Sequence, residues 1–147
     1  MLSENYQLNI SNDFTTYEFE SIGPKGSITK VVKYSEINVK GYYNLGFGDK
    51  DPLTGYICDL SVSNNNDSKK VLRTVAATLY TFFSKNTDAI VIATGSTEAR
   101  TRLYRIGITN NIELIEQDFI ILGLKDTHWE EFKKNETYGA FLVMKKL

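Results

Sequence analysis

The chain has 147 residues, 41% hydrophobic and 24% charged, with a formal net charge of −1. That length and composition are those of an ordinary soluble globular protein, expected as a single domain over 1–147 with a core of its own. The near-neutral balance excludes a global demand for nucleic acid or an anionic surface, and the lone cysteine, Cys58, excludes an internal disulfide or a cysteine-rich zinc site.

The N-terminus lacks the basic start and apolar core of a signal peptide, and no run approaches membrane-spanning length. The expected compartment is the cytoplasm, with no membrane partner. Alternating aromatics make Phe14–Ile22 a strand, Gly23-Pro24-Lys25-Gly26 is a turn, and Ser27–Val39 reads as a second strand. Tyr42–Phe47 and Tyr56–Ser63 are two more, separated by a loop rich in turn formers, so an antiparallel meander is the simplest arrangement. Asp49, Asp51 and Thr54 in that loop have an oxygen-rich look but not the spacing of a calcium loop, which favours a plain turn.

The period then changes. Asp67 or Ser68 caps a helix whose stripe is Val71, Leu72, Val75, Ala76, Leu79, Phe82 and Phe83. Ala89–Thr94 is a short apolar strand, and Ser96–Ile106 a second helix expected to bury Ala99, Leu103 and Ile106. Asn110–Gln117 reads as a further helical turn, and Phe119–Leu124 and Tyr138–Lys145 as closing strands. His128, the only histidine, falls in a polar connection between them. The order implies an α+β fold: a mostly antiparallel mixed sheet of about six or seven strands packed by two main helices.

The most informative stretch is AIVIATGSTEARTRLYRIG, residues 89–107. A buried strand that passes through Gly95 into a helix N-terminus leaves backbone N–H groups pointing outward, where the dipole favours an anion. Ser96, Arg100 and Tyr104 fall on one side of that helix, since steps of four advance only about 40°. If Tyr56–Ser63 and Ala89–Thr94 are parallel neighbours, both helices start at the same sheet edge, where ligands of open sheets tend to bind. The candidate ligand-binding residues are therefore Asn66 and Ser68 from the first loop and Gly95, Ser96, Thr97, Arg100 and Tyr104 from the second. The bland reading of these residues is capping and loop structure.

Two resemblances add to this. FTTYEFESIGPKGSITKVV, YNLGFGD, TVAATLYTF, ATGSTEARTRLYRIGI and YGAFLVMKK together resemble an uncharacterised bacterial domain family, largely of Bacteroidota. The resemblance implies a small bacterial domain and brings no activity with it. More loosely, the order of elements resembles the GCN5-related N-acetyltransferases, with Ala99, Leu103, Tyr104 and Gly107 in the pattern of that family's second helix. It implies an acetyltransferase-like topology, yet the loop Asn64–Lys70 has no glycine where that family binds pyrophosphate.

From Lys69 to Arg105, seven basic residues face two acidic ones, so a basic middle sits on an acidic body. The expected function is binding of a phosphate- or carboxylate-bearing ligand at the edge formed by Asn64–Ser68 and Gly95–Arg100, with the cofactor and any catalytic residue unknown. The alternatives are a protein-interaction module, antitoxin-like or an immunity component, whose arginine helix meets an acidic protein partner, and a divergent acyltransferase. The basic stretch and the aromatics lend only weak support to a nucleic acid partner.

Overall fold

A computed structural model describes residues 4–58, 63–95 and 97–147. Strands β1 (Asn9–Ile10), β2 (Thr16–Gly23), β3 (Gly26–Glu36) and β4 (Tyr42–Asp49) form an antiparallel meander. Their alternation sends Tyr17 and Phe19, Val32 and Tyr34, and Leu45 and Phe47 to one face, where all six are buried. Helix α1 (Ser68–Lys85) lies on that face and buries the whole stripe expected of it. Phe82 stacks on Tyr34 with ring centroids 4.1 Å apart, which fixes the helix over the middle of the meander.

The chain continues through β5 (Ile90–Ala93), α2 (Glu98–Asp118), β6 (Phe119–Lys125), β7 (His128–Glu131) and β8 (Phe141–Lys145). The strands make one eight-stranded sheet in the order β1-β2-β3-β4-β5-β8-β6-β7, antiparallel except where β4 meets β5. The fold is α+β, with a mixed, mostly antiparallel sheet packed by two helices. Both helices pack on the same face, and their residues share one core with Val91, Phe119, Ile121, Phe141 and Val143.

The opposite face has two characters. Over β2 to β4 it is polar, with Glu18 bridged to Lys50 at 3.2 Å and Glu20 accepting from Ser27 and Thr29. Over β5, β8, β6 and β7 the register aligns Ile90, Met144 and Ile120 in one row and Ile92, Leu142 and Leu122 in the next. Trp129 stands beside Leu124, and Trp129 and Ile120 are exposed.

Three expectations change. The strand beside β5 is β4, not Tyr56–Ser63. In that segment Ile57 makes only an isolated bridge to Lys50, Cys58 donates its amide to the Asp49 carbonyl at 2.7 Å without joining a strand, and residues 59–62 lie outside the described ones. The alternation of Tyr56–Cys58 serves packing instead, with Ile57 lying over Gly46 and Gly48, where a side chain on Gly48 would meet it at 2.7 Å. Second, α2 does not stop at Ile106. It runs through Gly107, which faces Leu72 of α1, and on to Asp118. Third, this longer helix is rotated from the expected orientation. Arg100, Tyr104, Ile112 and Ile115 are buried, Ala99 and Ile106 are exposed, and Leu103 is half-buried.

Candidate functional site

The strand directions gather one sheet edge from distant parts of the chain. Asp49 at the end of β4 pairs with Lys30, Ala93 at the end of β5 pairs with Phe141, and Phe141 pairs with Gly123. Both helices start at that edge, although the expected pairing of Tyr56–Ser63 with Ala89–Thr94 is replaced by that of β4 with β5. The edge is divided into two clefts with a buried partition.

Arg100 is part of the partition. It is only 7% exposed, and its guanidinium donates to the Cys58 carbonyl, close to where a side chain on Gly48 would stand. Gly95 allows this approach, because a Cβ there would lie 2.4 Å from the Thr101 amide. Next to it the buried Lys30 ammonium donates to Asp49 and, at 2.8 Å, to the Ser63 carbonyl, while the Ser63 amide donates to Asp49 at 2.9 Å. Burial works against the charge of Asp49, but its bonds from Lys30 and Ser63 outweigh that and hold the carboxyl below its ordinary value. The loop before α1 is therefore fastened at Cys58 and again at Ser63. Tyr104, one turn on from Arg100, is also buried and borders a small apolar space of about 50 Å³ between helices and sheet. Burial pushes its phenol up to about 12, so it is a neutral core group.

The cleft at the start of α1, about 820 Å³, is lined by Asn66, Ser68, Lys69 and Lys70 among others. Most of its charged groups are engaged, Lys69 being the exception among the described residues. Asp67 accepts from both Tyr6 and Ser21 at 2.6 Å, Arg73 pairs with Glu4 at 2.8 Å, and the Lys70 ammonium sits 4.2 Å from the Tyr6 ring centroid. Asp67 is the residue before the helix but makes no side-chain cap, and its carboxylate opposes an anion there. Asn65 next to it is buried and ties the loop to the β2–β3 turn through the Lys25 amide and the Gly26 carbonyl.

The cleft at the start of α2 is different. About 920 Å³ in volume, it lies between the first turns of α2, the β6–β7 turn and Thr137–Gly139. Gly95 and Thr97 line it, as do Glu98, Arg102, Arg105, Lys125 and Asp126. The backbone amides at this helix start are partly spoken for. Thr97 accepts from the Arg100 amide at 3.2 Å, the Thr101 amide reaches the Thr97 carbonyl at 3.1 Å, and the Gly95 amide bonds Thr101 at 3.0 Å. Two of the three cations are not. Lys125 pairs with Glu136 at 2.9 Å, but among the described residues Arg102 and Arg105 join no ion pair, and neither does Glu98.

The structure thus distributes the sequence-derived candidates. Asn66 and Ser68 line one cleft, Gly95 and Thr97 the other, Arg100 and Tyr104 are interior, and Ser96 lies outside the described residues. Arg102 and Arg105, which line the second cleft, are not among those candidates. The signal for them was the spacing of Tyr104, Ile108, Ile112 and Ile115, which reveals the inward face only if the helix is carried through Gly107. His128 is exposed, its Nε2 3.6 Å from Glu130. Among the described residues no group of three or more His, Cys, Asp or Glu is placed to hold a metal, and no helix is long and apolar enough to cross a membrane.

Fold and edge together define a two-helix α+β domain with a polar cleft at the start of its second helix. The chain belongs to a family of unknown function, DUF6934, whose model matches residues 2–146. No curated protein and no solved structure matches it.

Proposed function

We propose that the cleft at the start of α2 binds a ligand through an anionic group held by Arg102 and Arg105. The observation that carries this reading is the pair of guanidiniums, one turn apart on one helix face, lining a concave space with no carboxylate partner among the described residues. An arginine presents a planar fork of donors suited to phosphate and carboxylate oxygens, and two of them three residues apart can reach one group. The α1 cleft is the weaker candidate, because two of its three cations, Lys70 and Arg73, are engaged and only Lys69 is not, whereas the α2 cleft offers two unengaged arginines among the described residues. The acyltransferase alternative rests on the order of elements alone, and Asp67 likewise opposes a pyrophosphate at α1.

The test is thermal unfolding of the protein with and without inorganic phosphate or sulfate, repeated on Arg102→Ala/Arg105→Ala. Ligand binding to the native state raises stability by about 2.7 kcal/mol at a hundredfold excess over Kd. A shift in the parent that disappears in the double variant supports the site. A shift unchanged in the variant, or no shift with either anion, defeats it.

One observation favours a second reading, a protein-interaction module. The open sheet face over β5, β8, β6 and β7 is apolar, with Ile120 and Trp129 exposed, and such patches mark association surfaces. Its check is solution mass across a concentration series and after Trp129→Glu.

A further inference from the structure

The cleft is too large and too mixed in polarity for an ion alone. We infer that it takes a phosphate monoester whose other end carries hydroxyl groups, a ligand with the size and polarity of a sugar phosphate. This rests on the anion reading above and deepens it.

The charge of the head group comes first. Arg102, Arg105 and Lys125 all line the cleft, and among the described residues only Lys125 has a carboxylate on it. A monoester carries close to two negative charges at neutral pH, a carboxylate one, so two free guanidiniums match the phosphate better. The facing wall decides the rest of the ligand. Asp126 sits in the turn between β6 and β7 with φ of 55°, a fixed left-handed position, and its carboxylate makes no hydrogen bond or ion pair among the described residues. A carboxylate only accepts, so it asks the ligand for donors and repels a second phosphate. Thr137 adds a hydroxyl to the same wall, and the buried Tyr138 adds its ring, held in place by its hydroxyl donating to Glu130 at 2.9 Å. Glu98 also lines the α2 wall, one turn before Arg102, so a ligand spanning both walls places its anionic group at Arg102 and Arg105 and its hydroxyl donors at the carboxylates of Glu98 and Asp126. The volume of about 920 Å³ accommodates a body of sugar size, within the usual range for small-molecule sites.

The experiment is calorimetric titration with four probes: inorganic phosphate, glycerol 3-phosphate, ribose 5-phosphate and ribose. It is run on the parent, on Arg105→Ala and on Asp126→Gly, glycine being suited to the left-handed position. Ribose 5-phosphate should bind about tenfold tighter than inorganic phosphate, the worth of one hydrogen bond to a charged group. Asp126→Gly should abolish that margin while leaving inorganic phosphate bound at least as well, and Arg105→Ala should weaken both phosphates. Equal affinity for inorganic phosphate and ribose 5-phosphate, or a margin that survives Asp126→Gly, overturns the inference and leaves the anion site standing. Loss of all phosphate binding in the parent overturns both.

Discussion

Arg100 and Arg105 stand on one helix, about a turn and a half apart, and have opposite surroundings. Arg100 is buried, with its guanidinium on the Cys58 carbonyl and against the backbone of β4. Arg105 lines an open cleft and has no carboxylate on it among the described residues. Residue type says nothing about which is structural. The side of the helix does, and a guanidinium that satisfies a buried carbonyl is committed to the fold in a way that its neighbour is not.

This contrast breaks most readily at the buried side. Asp49→Ala should have the largest effect, about 3–5 kcal/mol lost in chemical denaturation, because it leaves the Lys30 ammonium buried without its counter-charge and frees the Ser63 amide. The same contact gives a pH signature. The native carboxyl of Asp49 is held below its ordinary value of 3.8, so the unfolded chain takes up the proton first as acid is added. Its contribution is complete above that value and is lost as pH falls through the native one. A denaturation midpoint that falls as steeply below pH 4 in Asp49→Ala as in the parent would count against this clamp.

Arg100→Ala should cost about 2–3 kcal/mol, since the Cys58 carbonyl loses a charged donor. Proteolysis near Cys58 should accelerate in parallel, as that end of the loop comes free. Arg102→Ala and Arg105→Ala should have the smallest effect, each changing stability by within about 0.5 kcal/mol. If either unfolds the domain, the distinction between the two sides of α2 collapses.

The same helix shows why some of the molecule was readable in the residues and some was not. The stripe of α1, from Val71 to Phe83, has one solution, and the structure adopts it. In α2, Ala99, Leu103 and Ile106 suggest one inward face while Tyr104, Ile108, Ile112 and Ile115 define another. Gly107 decides against the second only if it is taken as a terminator. It lies instead within the helix, facing Leu72 of α1. The short β7, His128–Glu131, carries little strand propensity and exists because β6 offers an edge. In the site, Gly95 and Thr97 were legible from the strand-to-helix punctuation. Arg102 and Arg105 emerge only once the buried face of α2 is known, and Asp126 belongs to a wall that only the sheet order brings near. The buried Lys30 had no signal, since its partner Asp49 is reached across a strand pair.

The single parallel contact in the sheet, Tyr42–Leu45 against Ile90–Ala93, has a consequence for biosynthesis. Everything on one side of it, β1 to β4, is encoded before anything on the other side, and α1 is the helix translated between them. The nascent meander therefore leaves the ribosome complete but with the β4 margin bare until Ile90–Ala93 follows. Bare strand margins invite mispairing. The interval in which this one is open is the time needed to translate the loop and α1, so the crossover is also the chain's built-in delay.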